Sequence, residues 1–335
     1  MAEEFGVAVV GAAGLAGREI VSLLAERQFP LGALRLLGSL RTAGKEVERE
    51  GRMEKVALLG AGSFDGIDLA FFAGGPTLAG EHVPRAVGAG AAVIDLSSRF
   101  RLDEAVPLVV PEVNPAAIAE RRERGIIANP SATAIALAVV LAPIAAEAGL
   151  RRVIVSTYQG VAGMGQLGME ALSRETIELL NARGPRRTRF ARRIAFNCIP
   201  QVGAVEPGGV TTHELHAVEE TRKILGNPAL AMHVTAVRVP TFFGSALSLG
   251  VETEQPLGAA AAIELLRTAP GVVIDEESYP TPAEVAGSDA TYVGRVRDDP
   301  SAENALGLWV TLDNVRKGAA LNAVQIAEIL VRDYL

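Results

Sequence analysis

Short apolar runs recur along the first half of the chain, each closed by glycine or a polar turn, and most lead into residues with helical spacing. Val7-Ala8-Val9-Val10 predicts a short buried strand, and Gly11-Ala12-Ala13-Gly14-Leu15-Ala16-Gly17 follows it directly. Residues 18–27 then place Ile20, Leu23 and Leu24 on one helical face. Further strands are predicted at Leu34–Gly38, at Asp68–Ala73 (ending in Gly74-Gly75-Pro76) and at Ala92–Leu96, with a helix over Pro84–Ala89. This alternation predicts a doubly wound parallel sheet with ligands at the carboxyl ends of its strands. Leu108–Pro115 reads as an extended segment bounded by turns.

The run Ile126-Ile127-Ala128 stops at Asn129-Pro130, and after Ser131 a helical apolar stretch runs to Ala148, with Pro143 as a kink or restart. A strand that breaks into a helix N-terminus suits a nucleophile, because the helix dipole and the free N–H groups stabilise an anion there. Beyond it the pattern changes. Arg152–Gln159 alternates as a strand, Gly160–Gly168 is a glycine-rich turn, Met169–Arg183 reads as helix, and residues 182–193 form a basic loop. Later strands are predicted at Met232–Pro240, Ser248–Thr253 and Leu308–Leu312. This half reads as a sheet covered by helices, not as a second nucleotide fold. Residues 314–331 predict a last helix, apolar at Leu321, Val324, Ile326, Ile329 and Leu330, that packs back on the first domain.

Composition narrows the function classes. A chain of 335 residues has room for two domains and a sizeable core. A net charge of −7 and 4% aromatic residues argue against nucleic acid as partner. The single cysteine, Cys198, excludes an internal disulfide and fits a reducing compartment. Residues 1–5 are acidic without an apolar signal segment, and the longest apolar stretch, 132–146, is too short to span a bilayer comfortably. The expectation is a cytoplasmic protein without a membrane partner.

Candidate chemistry sits at the strand ends. The glycine-rich turn after the first strand reads as a dinucleotide site, with a plain strand–helix turn as the alternative. Ser39-Leu40-Arg41-Thr42-Ala43-Gly44-Lys45 ends the second strand with two cations and two hydroxyls and no acid. That set suits a ribose 2′-phosphate, so NADP is favoured over NAD; the alternative is a solvated loop. Ser97-Ser98-Arg99-Phe100-Arg101 offers hydroxyls and guanidinium groups for phosphate or carboxylate. Cys198 lies in Ala195–Gln201, a segment that reads as buried or edge, so it is taken as a core thiol and not a catalytic one. Ser131, after Asn-Pro and before a helix, reads as an N-cap in preference to a nucleophile. His213, Glu214 and His216 are read as a solvated helix face in preference to a metal site, and no metal is expected.

These stretches, together with Val110-Pro111-Glu112-Val113-Asn114-Pro115, Ser156-Thr157-Tyr158-Gln159, Glu220-Thr221-Arg222-Lys223, Arg238-Val239-Pro240, Tyr279-Pro280-Thr281-Pro282, Tyr292-Val293-Gly294-Arg295 and Gly318–Gln325, resemble the aspartate-semialdehyde dehydrogenase family from end to end. The resemblance implies an α/β protein: a Rossmann-type NADP-binding domain (1–129 and 314–335) and an α+β catalytic and dimerisation domain with a mixed sheet (130–313). It implies NADP-dependent reductive dephosphorylation of aspartyl phosphate through a cysteine acyl-enzyme, with a histidine as acid/base partner and a glutamine orienting the intermediate. It places the cofactor on Gly11, Gly14, Leu15, Ala16, Gly17, Ser39, Arg41, Thr42 and Asn314.

The chain departs from that pattern at the chemistry. The family's Asn-Cys-Ser-Thr is here Ser131-Ala132-Thr133-Ala134, and its Gly-His-Ser step is Gly244-Ser245-Ala246, so the cysteine position holds Ala132 and the histidine position Ser245. Gln159 remains, as do Arg101 at the phosphate position and Arg238 at the carboxylate position. The Glu-x-x-Lys substrate element falls at His213–His216, which puts His216 at the lysine position. Leu96 replaces a family asparagine. The resemblance therefore points to a non-catalytic paralogue, of the kind called Usg-type, that keeps the fold and a homodimer and has mixed dimers with the active dehydrogenase as one role. A second expectation is an NADP-dependent oxidoreductase acting on another small acidic substrate without a covalent intermediate. A third is a purely structural or interaction protein.

Overall fold

The computed structural model describes residues 4–184 and 189–335, with residues 122 and 123 described by their backbone only. Residues 185–188, within the basic loop expected over 182–193, lie outside the described residues. The chain forms two units, one made of Met1–Ser131 with Ala319–Leu335 and the other of Ala132–Gly318.

In the first unit, β1 (Phe5–Val10) leads through the glycine turn into α1 (Leu15–Glu26), and β2 (Leu31–Gly38) follows. After a small hairpin of β3 (Glu46–Arg49) and β4 (Arg52–Lys55) come β5 (Ala57–Leu58), β6 (Leu69–Phe72), α2 (Pro76–Gly88), β7 (Ala92–Asp95) and β8 (Ile126–Ala128). The sheet order is β5-β2-β1-β6-β7-β8, and every pairing is parallel. β1 and β6 are buried at every residue, as strands of a parallel sheet covered on both faces must be. The chain order reverses between β2 and β6 on either side of β1, which opens a crevice at the carboxyl end of β1. The C-terminal helix, Asn322–Asp333, adds Val324, Ile326, Ala327 and Leu330 to the core built on Val7, Val9, Ile20, Leu24 and Phe71.

Two expectations are corrected in this unit. The helix expected from Pro84 begins at Pro76 and contains Pro84. Gly75 supplies the extended N-cap, and the N–H that Pro76 lacks is one the first turn leaves unpaired in any case. The last helix does not start at Asn314. Asp313 Oδ1 accepts from the N–H groups of Val315 and Arg316 at 2.7 and 2.8 Å, and a π-helical turn over Arg316–Leu321 precedes the α-helix.

The second unit opens with α3 (Ala132–Ala148), which runs through Pro143 without a restart and is buried on nearly all sides. It continues with β9 (Arg152–Gln159), α4 (Gln166–Leu180), α5 (Thr212–Leu225), β10 (Ala231–Arg238) and β11 (Ser245–Glu252). The remaining elements are α6 (Ala259–Arg267), β12 (Val272–Asp275), β13 (Thr291–Asp298) and β14 (Ala305–Leu312). Its sheet is mixed, in the order β10-β9-β11-β14-β13-β12, with β10 parallel to β9, β12 parallel to β13, and the other pairs antiparallel. The α/β class with one parallel and one mixed sheet thus holds. One face of the mixed sheet (Val153, Val155, Leu247, Leu249, Leu308 and Val310) forms a core with Leu137, Val140 and Leu141 of α3. α4 starts three residues earlier than expected, where Gly165 at φ +68° ends a short 3-10 turn.

Cys198 is exposed, not a core thiol. Its neighbours Ile194, Ala195 and Ile199 fill the cluster under α4, and the segment turns the thiol outward. Among the described residues no helix is long and apolar enough to cross a membrane.

Candidate ligand and reaction site

The nucleotide turn is shaped by backbone crowding. Gly11 has φ +85°, and a Cβ there would sit 2.9 Å from the carbonyl of Ala73. A Cβ on Gly17 would fall 2.3 Å from Gly11 O and 2.7 Å from Ala12 Cα. Gly14 caps α1 in an extended conformation with no side-chain hydrogen bond, and no acid occupies the first turn. The first-turn N–H groups therefore face the strand ends without a protein cap or a repelling carboxylate, which fits a pyrophosphate. Leu15 and Ala16 open α1 and are half-buried. At the end of β2, Arg41 and Lys45 are exposed while Thr42 Oγ1 donates to Ser39 O at 3.2 Å. Asn314, placed with the cofactor residues by resemblance, accepts the N–H of Gly244 on Oδ1 at 2.8 Å.

Still within the first unit, Arg101 ties strand ends together. Its Nε donates to Asn129 O at 2.9 Å and its Nη2 to Leu96 O at 2.6 Å. Asn129 is held in turn by Asn322, whose Nδ2 donates to Asn129 Oδ1 at 2.8 Å and to Val109 O at 3.0 Å. Asp95, fully buried, accepts the N–H and hydroxyl of Ser97. Burial pushes its carboxyl above the usual range, against the lowering effect of those bonds and of Arg101.

In the second unit the other candidates converge on Gln159. Antiparallel pairing sets Ser245 of β11 directly across from it, and parallel pairing sets Arg238 of β10 on its other side. Residues opposite each other in a sheet share a face, so the three project together with Thr157, two residues back along β9. Gln159 Nε2 lies 3.1 Å from Thr157 Oγ1, 3.3 Å from Thr133 Oγ1 and 2.8 Å from His213 Nε2. Thr133 Oγ1 is itself 3.2 Å from His213 Nε2. An amide NH₂ has two hydrogens, and here three acceptors surround it. Turning the amide over puts Oε1 among the same groups, where it accepts instead. The orientation of Gln159 is thereby linked to whether His213 Nε2 carries a proton.

Arg238 is 5% exposed, and its Nη1 donates to Gly160 O at 2.7 Å. No carboxylate pairs with it among the described residues. Burial alone lowers its pKa to about 10, so it stays charged at neutral pH. A Cβ on Gly163 would lie 2.8 Å from Nη1, so the glycine leaves the guanidinium its space. A buried cation without a counterion is costly unless an anion arrives to pair with it.

His213 is half-buried against Gln159, which corrects its reading as part of a solvated face. Glu214 next to it is a structural anchor. Its Oε2 accepts Thr211 N at 2.6 Å in a capping box, and its Oε1 accepts Ala236 N at 2.8 Å. Each bond to a charged group is worth roughly 1.5–3 kcal/mol. Glu214→Ala, which removes two such bonds, is accordingly expected to lower unfolding free energy by about 3–6 kcal/mol in urea titration, with an unchanged slope. His216 Nδ1 stands 4.0 Å from Glu220 Oε1. No group of three or more metal-ligating side chains occurs among the described residues.

Ala132 opens α3, and its Cβ lies against Gly318, where any added Cβ would come within 2.6 Å. Thr133, one residue on, and Thr157 were not singled out from the sequence. The period-2 spacing of Thr157 and Gln159 was a usable signal for the latter, whereas the direction of Thr133 depends on how α3 is seated.

Two family models match the chain: "Semialdehyde dehydrogenase, NAD binding domain" over residues 6–121 and "Semialdehyde dehydrogenase, dimerisation domain" over residues 141–317. Aspartate-semialdehyde dehydrogenase 2 of Vibrio cholerae is 43% identical over 336 residues, covering all of both chains. The crystal structure of aspartate semialdehyde dehydrogenase II from Vibrio cholerae superposes with a TM-score of 0.97 at 43% identity, over 99% of this chain and 100% of that one. The structure of a probable aspartate-semialdehyde dehydrogenase from Pseudomonas aeruginosa gives 0.95 at 38% identity, over 99% and 100%.

Proposed function

The chain belongs to the aspartate-semialdehyde dehydrogenase family, and from that premise we propose that it is a paralogue of the Usg-type kind, which binds NADP and a small acidic ligand but does not run the family's thioester cycle. The observation that carries this reading is the row on the mixed sheet. Gln159, Arg238 and Ser245 are in register, and by the family resemblance Ser245 stands at the base position and Ala132, at the start of α3, at the nucleophile position. A thiolate must attack and later leave, and a methyl group has no such chemistry. The chain carries the family's nucleotide-binding domain, and the exposed Arg41 and Lys45 at the end of β2 favour NADP over NAD within it.

Dimerisation is proposed through the outer face of the mixed sheet, where Ile154 is 39% exposed, and mixed dimers with the active dehydrogenase through that same face. The test uses protein purified from a host lacking its own dehydrogenase. NADPH is expected to bind in a fluorescence titration. Semialdehyde, phosphate and NADP are expected to give no turnover above the buffer rate, and turnover at ordinary enzyme levels would sink the proposal.

A second reading, hydride exchange with another acidic substrate and no covalent intermediate, is favoured by the buried Arg238, whose charge no described carboxylate neutralises. Dicarboxylates are expected to raise the melting temperature in the wild type and not in Arg238→Met. A shift of equal size in the variant removes Arg238 as the anchor.

A further inference from the structure

We propose that Thr133 and His213 form a hydroxyl–imidazole pair that transfers and hydrolyses activated acyl groups, with Arg238 holding a carboxylate of the substrate. This goes beyond the binding role proposed above. It needs no nucleotide, so it is tested without NADP, and its failure leaves that role untouched.

Three observations carry it. The first is the contact itself: Thr133 Oγ1 lies 3.2 Å from His213 Nε2, within reach for a hydroxyl to give up its proton to a base. The second is proton placement. In the tautomer with Nε2 unprotonated, that nitrogen has one lone pair, which the Thr133 hydroxyl takes when the Gln159 amide, 2.8 Å away, gives its N–H to Thr157 Oγ1 at 3.1 Å instead. Thr133 sits in the first turn of α3, where the helix dipole favours a developing negative charge. The third is Arg238, which shares the face of Gln159, is nine-tenths buried and carries a charge that no described carboxylate neutralises.

The chemistry balances without oxidant or reductant. Thr133 Oγ1 bonds to the acyl carbon as the bond from that carbon to the leaving oxygen breaks. The hydroxyl proton passes to His213 Nε2 and on to the leaving oxygen. Water then bonds to the acyl carbon and gives a proton to His213. The ester bond to Oγ1 breaks, and Oγ1 takes that proton back. One acyl compound and one water become a carboxylic acid and the protonated leaving group.

The probes are 4-nitrophenyl acetate and acetyl phosphate. All proteins carry Cys198→Ser, because an exposed thiol attacks such esters itself. Saturable hydrolysis is expected, falling by about 10²–10⁴ in Thr133→Val and in His213→Gln and persisting in Thr133→Ser. Succinate is expected to compete, with an inhibition constant about tenfold or more weaker in Arg238→Met. Acid quench and digestion should find the acetyl group on the peptide that contains Thr133, a readout that needs no variant. Equal rates in all variants, no hydrolysis above buffer, or an acetyl group on another residue would each overturn the proposal.

Discussion

Installing Ala132→Cys together with Ser245→His is expected to raise NADP-dependent oxidation of aspartate semialdehyde to at least about 10²-fold above the buffer rate, which the unmodified protein does not exceed, the low end of what one general base contributes. In a protease, removing the nucleophile costs on the order of 10⁶, and members of one catalytic unit are strongly non-additive. The single changes are therefore expected to give far less than the pair. The scaffold is ready for both. Gly318 has no side chain to collide with the Cβ at position 132, and position 245 faces Gln159 directly across the β9–β11 pairing. Asn322 and Asn129 still hold the turn that leads into α3. The measurement is steady-state NADPH formation with phosphate present, after purification from a host without the enzyme. The Cys variant should also be alkylated by iodoacetamide at position 132. A double variant that labels there yet gains no turnover would mean that the pocket, and not only its two reacting atoms, has diverged.

That test isolates what could and could not be read along the chain. Strands of the parallel sheet announce themselves as consecutive apolar residues, because both faces are covered, and β1, β6 and β7 are found where such runs occur. β12 and β13 were missed. Their burial alternates weakly and they lie toward one edge of the mixed sheet, so the apolar signal thins. Helix starts were misread where two prolines competed, as at Pro76 and Pro84, since each fits a first turn equally well. At the site, Gln159, Arg238 and Ser245 lie in one row by strand register, but register is not written in any one strand. His213 shows the limit most clearly. On α5 alone it looks like half of a polar pair with His216. Only the packing of α5 against α3 and β10 brings its ring to Gln159 and Thr133. The site thus changes from one that has lost a base to one that holds an imidazole on a different element.

The glycine turn gives the sharpest contrast between fold and ligand. Gly17→Ala is expected to lose both stability and NADPH binding, whereas Gly14→Asp should keep the fold and lose only the nucleotide. At Gly17 the added methyl would meet three backbone atoms of Gly11 and Ala12 within 2.9 Å, none of which a side-chain rotation can clear. Relief requires moving α1 away from the turn, an overpacking strain of about 1–3 kcal/mol that also displaces the N–H groups meant for the pyrophosphate. At Gly14 a Cβ meets only Gly11 O, at 3.2 Å, and the φ of −77° suits any residue. An aspartate there is even a favoured N-cap, so melting should barely change or rise. Its carboxylate, however, would occupy the first-turn N–H groups and repel a phosphate in the same place. Urea unfolding and NADPH titration on the two variants separate the effects. Should Gly14→Asp bind NADPH as well as the wild type, the phosphates do not lie at this helix terminus, and the nucleotide assignment fails with it.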